Sequence, residues 1–154
     1  ITSLGIDMLW QGMKSRHLLL EKFKNNPKSV LFGTNSFWEG IDIKGEKLSC
    51  LIMVKLPFRV PTEPVFQARV EYLEKKGINS FLEYAIPDAV LKFKQGFGRL
   101  IRSKTDKGVF LLADRRILLK NYGSYFISVL PETRRSDSIN FNDVSELVDF
   151  SLSR

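Results

Sequence analysis

Gln-Gly-Phe-Gly-Arg-Leu-Ile-Arg, residues 95–102, is the stretch around which the rest of this chain is organised. On a helix of about 100° per residue, Gln95, Arg99 and Arg102 share one stripe, and the apolar residues take the opposite side. Two glycines border the polar stripe, although each costs about 1 kcal/mol against alanine inside a helix. We therefore expect a phosphate group or a neighbouring domain to approach the two guanidinium groups, whose planar forks suit phosphate. Spacing alone leaves a solvated basic helix face as the alternative.

Composition limits the class of protein. The chain has 154 residues, of which 44% are hydrophobic and 27% charged, and this favours one globular domain with a real core. Its net charge of +7 suits a polyanionic partner such as nucleic acid, although many basic domains bind none. No run approaches the roughly 18 apolar residues of a membrane span, and the N-terminus lacks the pattern of a signal peptide. We therefore expect a cytoplasmic protein without a membrane partner.

Two further features concern redox state and chain length. Cys50 is the only cysteine, so the sequence allows neither an internal disulfide nor a cysteine-based metal cluster. It lies in an apolar run, and we expect it to be a buried small hydrophobe. The chain begins at Ile1 without a methionine, which suggests a segment of a larger polypeptide.

Short apolar runs predict the strands of a sheet. A first strand is expected at Ile6–Trp10, and three further apolar runs lie at Ser29–Gly33, Leu48–Val54 and Gly108–Ala113. None of these three runs alternates apolar with polar residues, which is typical of parallel strands covered on both faces. Helical segments separate most of them, so the expected fold class is α/β.

Apolar residues at helical spacing, bounded by Gly, Pro and Asn, predict the helices. They are Ser15–Asn26, Val65–Lys76, Phe81–Ala85, Pro87 to about Ser103, and Asp114–Asn121. We expect Gly123 to break the last of these and Pro131 to close the packed part. A short amphipathic helix is expected in the polar tail, from the spacing of Val144, Leu147 and Val148.

The loop Thr34–Gly45 follows a predicted strand and carries hydroxyls, an amide, a tryptophan and carboxylates. In open α/β sheets the ligand crevice lies beyond the carboxyl ends of the strands, so we expect chemistry in this loop. The alternative is an ordinary connection that Phe37 and Trp38 pin to the core.

Four motifs, taken together and in order, resemble the second motor domain of DinG/XPD-type superfamily 2 helicases, and most of all the bacterial DinG branch. They are Phe-Trp-Glu-Gly-Ile-Asp at 37–42, Leu-Pro-Phe at 56–58, residues 95–102, and Asp-Arg-Arg at 114–116. The resemblance runs from about Gln11 to Pro131. It implies a RecA-like α/β domain, with a mostly parallel sheet flanked by helices, as the second of two domains that sandwich ATP.

The resemblance also implies domain limits. Residues 1–131 would form the RecA-like motor domain, which in this family usually begins one strand and one helix before the position of Ile1. Residues 132–154 would form a C-terminal tail with a short helix.

Site roles follow from the same resemblance. Arg99 and Arg102 would reach the γ-phosphate of ATP as arginine fingers, and Gln95 would orient the site. The nucleotide side of the loop after the second strand would include Glu39, Gly40 and Asp42. Single-stranded DNA would lie beside Thr34, Ser36 and Trp38.

The implied activity is that of an ATP-dependent DNA helicase that translocates on single-stranded DNA. The chain has no Gly-x-x-x-x-Gly-Lys-Ser/Thr loop and no Asp-Glu-x-His box, so ATP and Mg²⁺ would be bound mainly by a first motor domain. We therefore expect the fragment alone to be inactive. The cysteines of the family's Fe–S cluster lie in the first motor domain, so this sequence does not decide whether a cluster is present. The alternative is a non-enzymatic nucleic-acid-binding module on a RecA-like scaffold. A self-contained phosphate-binding enzyme is a weaker third hypothesis, because the phosphate loop is missing.

Overall fold

The computed structural model of the chain describes residues 5–34, 37, 48–103 and 105–137. Its elements, in chain order, are β1 (Asp7–Trp10), α1 (Arg16–Asn25), β2 (Ser29–Phe32), β3 (Cys50–Met53), α2 (Pro64–Lys75), a π-helical turn (Phe81–Ala85), α3 (Ile86–Leu100), β4 (Val109–Leu112), α4 (Arg116–Leu119) and α5 (Gly123–Ser128). None of the helices within these ranges has the length and apolar character needed to cross a membrane. The helix predicted around Val144 lies outside the described residues.

The strands pair in parallel, as the apolar runs predict. β1 pairs with β2, so that Asp7 lies opposite Ser29. β3 pairs with β4, so that Cys50 lies opposite Val109 and Met53 opposite Leu112. A helix or several helices connect the two strands of each pair, which confirms the predicted α/β class.

The prediction that the strands are covered on both faces is wrong for β2, and its partner β1 is likewise buried on one face only. Leu9 is buried, and it packs with Leu19 of α1. The opposite face of this pair is exposed and carries four large apolar side chains, which are Met8, Trp10, Val30 and Phe32. The apolar composition of these strands predicts that both faces of the pair are covered, whereas the described residues cover only the face that carries Leu9.

Cys50 also differs from its prediction, because the first residue of β3 is exposed rather than buried. Along the same strand, Ile52 is exposed and only Met53 is fully buried. An apolar run thus marks a strand correctly without showing which of its residues reach the core.

The larger core lies where α3 and α5 pack on β3 and β4. Phe93 of α3 and Phe126 of α5 are fully buried, and their ring centroids lie 5.4 Å apart in an edge-to-face arrangement. Phe110 of β4 lies 5.6 Å from Phe93, and Phe58, from the loop after β3, lies 5.8 Å from Phe126. Edge-to-face pairs of this kind add about 0.5–1.5 kcal/mol each beyond area burial. This aromatic core fixes α3 against the sheet.

Gly123 has a different role from the one predicted, because it begins α5 instead of only ending the helix before it. A Cβ at this position would overlap the carbonyl oxygen of Ile117. Glycine is therefore required because α5 approaches the backbone of α4 closely. The predicted helix Asp114–Asn121 is correspondingly shorter and spans Arg116–Leu119.

Candidate functional site

Helix α3 positions two of the predicted site residues. Pro87 lies near its start and Asp88 in its first turn, where a negative charge complements the helix dipole. Its buried side consists of residues at helical spacing, among them Ala89, Phe93, Phe97 and Leu100. Gln95 consequently faces solvent, as predicted from the periodicity.

Arg99 has a distinctive environment in the last turn of α3. Its side chain is partly buried, and its Nε is shielded from solvent without a hydrogen-bond partner in the described part of the chain. A Cβ added at the neighbouring Gly98 would meet nothing within 4 Å, so open space adjoins this turn. Buried donors in proteins are nearly always paired, and an exception requires an explanation such as a missing ligand. Nε of Arg99 is therefore a desolvated hydrogen-bond donor close to open space at Gly98.

The predicted shared stripe is wrong for Arg102, because α3 ends at Leu100 and not near Ser103. Ile101 is extended, with φ −116° and ψ 111°. The backbone N–H groups of Arg102 and Ser103 then donate to Oδ2 of Asp106, at 2.8 and 2.9 Å. These bonds lower the pKa of the Asp106 carboxyl. They hold the chain in a turn, so Arg102 is exposed beyond the helix rather than on it.

The end of α3 lies near the amino ends of β3 and β4. A Cβ on Gly108, just before β4, would come within 2.5 Å of Cδ1 of Leu100 and 3.1 Å of the carbonyl oxygen of Ser49, just before β3. Arg99 thus lies toward the amino edge of this strand pair. The opposite, carboxyl edge carries a second group of polar residues.

That second group joins two motifs whose roles the sequence does not reveal. Asp114 is 8% exposed and accepts a hydrogen bond of 2.8 Å from the backbone N–H of Leu56. Arg116 donates to the same carboxylate through Nη2 at 2.6 Å and through Nε at 3.0 Å. Its guanidinium also lies 5.5 Å from the centre of the Phe58 ring. The loops that follow β3 and β4 are therefore held together by one buried carboxylate.

A further ion-pair network links the loop after β3 to the start of α3. Arg59 donates through Nε to Oδ2 of Asp88 at 3.1 Å and through Nη1 to Glu63 at 3.1 Å. Nζ of Lys92 lies 3.1 Å from the same Asp88 oxygen. The hydrogen bonds from Asp88 and Glu63 raise the pKa of Arg59 above its ordinary value.

Asp114 should make the free energy of unfolding depend on pH in the acid range. The hydrogen bonds from Arg116 are the main cause that lowers its pKa from 3.8 to about 2. A depressed pKa contributes stability that is present above about pH 4 and is lost as pH falls through about 2. We expect Asp114→Asn to lower the free energy of unfolding by about 2 kcal/mol at pH 7. The decrease of this free energy between about pH 4 and pH 2 should also become smaller. Urea denaturation at pH 7 and across this acid range measures both effects.

Asp137→Asn is the matched control for that prediction. Asp137 also pairs with an arginine two residues away, Arg135 at 2.6 Å, but both side chains are about half exposed. Exposed pairs contribute little because water screens them. An equal change in the acid limb for both variants would show that the burial of Asp114 is not the cause.

The predicted loop after β2 is described only in part. Thr34 donates through its backbone N–H and its Oγ1 to Oε1 of Gln11, at 3.0 and 2.9 Å. Phe37 is buried, and its carbonyl oxygen accepts a hydrogen bond of 2.7 Å from Arg16. Phe37 thus pins the loop to the core, as the alternative for this loop proposes. The remaining predicted positions, Ser36, Trp38, Glu39, Gly40 and Asp42, lie outside the described residues.

Comparison with known proteins places these motifs in a family. The chain matches the helicase C-terminal domain family over residues 2–133. It is 44% identical over 135 residues to the ATP-dependent DNA helicase YoaA of Haemophilus influenzae, which covers 88% of this chain and 21% of that protein. It is 42% identical over 154 residues to the 3'-5' exonuclease DinG of Bacillus subtilis, and this match covers 99% of this chain and 16% of that protein. It is 46% identical over 133 residues to the ATP-dependent DNA helicase DinG of Photobacterium profundum, and this match covers 84% of this chain and 19% of that protein.

These relatives are much longer than this chain, which spans between 16% and 21% of their lengths. The family match nevertheless covers most of the chain, from the residues before β1 to those after α5. It includes all four motifs on which the predicted resemblance rests, and it confirms that resemblance. The chain therefore belongs to the helicase C-terminal domain family.

Proposed function

We propose that this chain is the second motor domain of an ATP-dependent DNA helicase of the DinG type. In this role it supplies arginine fingers and part of the DNA track, and it works only when joined to a first motor domain. Residues 1–131 form the motor domain in this proposal, and residues 132–154 form a C-terminal tail. Membership of the helicase C-terminal domain family supports this assignment.

The observation that carries the proposal is the state of Arg99. Its Nε is buried and has no partner among the residues that the structure describes, and the adjoining Gly98 leaves space open. A phosphate oxygen would satisfy such a donor, and a guanidinium can meet a phosphate through two parallel bonds. A solvated basic face would not leave an arginine nitrogen desolvated and unpaired, so this environment favours a ligand-binding role.

The residues present fit the terminal phosphate of ATP better than the rest of the nucleotide. Arg99 and Arg102 would hold that phosphate and Gln95 would orient it, while Glu39, Gly40 and Asp42 would contact the nucleotide from the loop after β2. ATP supplies the phosphoryl group for hydrolysis. Among the described residues, no cluster of three His, Cys, Asp or Glu side chains could hold a metal ion. In the proposal Mg²⁺ is accordingly held by the first motor domain.

Single-stranded DNA is the second ligand in the proposal. The net charge of +7 supports attraction to a polyanion. The loop after β2 would contact the strand through Thr34, Ser36 and Trp38, where an aromatic ring can stack on a base for about 1–3 kcal/mol.

Assays of ATP hydrolysis and DNA binding by the purified chain test this proposal. We expect it to hydrolyse no ATP above background, because it lacks a phosphate loop, and to bind single-stranded DNA weakly with strong salt dependence. ATP turnover and fluorescence titration with a labelled oligothymidylate measure the two activities. Turnover should appear when the chain is joined to a first motor domain that carries a phosphate loop.

Two outcomes would contradict the proposal. Steady ATP turnover by the isolated chain, lost in Arg99→Ala, would indicate a self-contained enzyme. DNA binding without turnover in the joined polypeptide, at normal folding of both domains, would favour the non-enzymatic nucleic-acid-binding module.

A further inference from the structure

Two cationic residues follow the carboxyl ends of the neighbouring strands β3 and β4. Met53 and Leu112 are paired in register at the ends of these strands, and the backbone N–H of Ala113 extends the ladder by donating to the Met53 carbonyl at 2.9 Å. Lys55 follows one strand and Arg115 the other, and both are exposed. Neighbouring strands are separated by about 4.8 Å, so these two residues leave the sheet close together.

The surrounding charges are already paired. The Asp114 carboxylate between them is occupied by Arg116 and by the Leu56 N–H. By contrast, neither the ammonium group of Lys55 nor the guanidinium group of Arg115 has a hydrogen-bond or ion-pair partner among the residues that the structure describes. Two uncompensated positive charges therefore remain at this edge.

Side-chain contacts hold the backbone that carries these charges. The buried Asp114 ties the loop after β3 to the turn after β4, and Arg116 adds its contact with the Phe58 ring. Arg59 ties the same loop to Asp88 at the start of α3. Because the turns are fixed before a ligand arrives, little backbone entropy is lost when one binds.

We propose that Lys55 and Arg115 form a binding site for the backbone phosphates of single-stranded DNA. The inference rests on the proposed function, since it assigns a further part of the DNA track. Two cations at neighbouring strand ends can meet successive phosphates of an extended polyanion, and contacts of this kind are independent of base sequence. The site lies at the opposite edge of the β3–β4 pair from Arg99, so the proposal separates strand contacts from the predicted arginine finger.

The double variant Lys55→Ala/Arg115→Ala tests the site in the full chain. We expect its affinity for a labelled oligothymidylate to fall roughly tenfold at low salt, and the slope of log affinity against log salt to become shallower by about 1–2. Thermal unfolding should stay unchanged, because both side chains are exposed and unpaired in the described structure. ATP, titrated in parallel, should bind the variant and the unmodified chain equally.

Lys22→Ala/Lys75→Ala is the matched control, since it removes the same charge from exposed positions on α1 and α2. An equal loss of affinity in both double variants would show general electrostatics and overturn the site. Unchanged DNA affinity in Lys55→Ala/Arg115→Ala, while the parent chain binds, would overturn this inference and leave the proposed function standing. A parent chain that binds no DNA at low salt would contradict both. A loss confined to ATP would assign a mononucleotide to this edge instead.

Discussion

Arg99→Ala should lower ATP turnover roughly 10³–10⁵-fold in a polypeptide that joins this chain to a first motor domain, as expected for loss of an arginine finger. The physical reason is that Nε of Arg99, which is buried and has no hydrogen-bond partner among the described residues, can stabilise the charge that develops on a transferred phosphoryl group. The affinity for single-stranded DNA should change little. Both quantities are measured on the same preparation, as ATP turnover and as an oligothymidylate titration.

Two companion variants sharpen this test. Arg99→Lys keeps the charge but loses the planar fork, and it should restore little turnover. Lys94→Ala removes a charge from an exposed position on the same helix and should leave turnover near that of the parent. Normal turnover with lost DNA affinity in Arg99→Ala would move Arg99 from the nucleotide cleft to the DNA track.

Phe126→Ala should lower the free energy of unfolding by about 3–5 kcal/mol, the range for removal of a buried aromatic side chain. Phe126 is fully buried, and its ring meets the rings of Phe58, Phe93 and Tyr122. Truncation would therefore leave a cavity at the junction of α5, α3 and the loop after β3. Urea denaturation measures the change.

Tyr125→Ala is the control from the adjacent position in the same helix. Tyr125 is 57% exposed, and its loss should change the free energy of unfolding by less than about 0.5 kcal/mol. Equal effects of the two substitutions would mean that α5 does not pack through Phe126.

Helix α5 also marks a limit of prediction from sequence. A glycine after a helical run normally indicates a helix end, and the sequence predicts that role for Gly123. The structure uses the missing side chain for the contact with Ile117, which is a tertiary requirement. Strands β1 to β4 and helices α1 to α3 were predictable to within a few residues, because apolar runs and breakers such as the Asn26-Pro27 pair define them locally.

In the candidate site, too, some features follow from the sequence and others depend on tertiary packing. The solvent-facing position of Gln95 follows from helical periodicity alone. The buried Nε of Arg99 depends on surrounding packing that no spacing reveals. Similarly, the bond between Asp114 and Leu56 joins positions 58 residues apart. An aspartate directly after a strand, followed by arginine, was the one available signal for that contact.

The uncovered face of β1 and β2 also governs the colloidal behaviour of the isolated chain. Its four large apolar side chains form two cross-strand pairs, Met8 with Val30 and Trp10 with Phe32, and they present a continuous strip to water. A strip of this kind favours self-association, whereas mutual repulsion at a net charge of +7 opposes it. Salt shortens the range of that repulsion to about 8 Å at physiological ionic strength and leaves the apolar attraction intact. We therefore expect the chain to be most soluble in dilute salt, the same condition under which the proposed affinity for polyanions would be greatest.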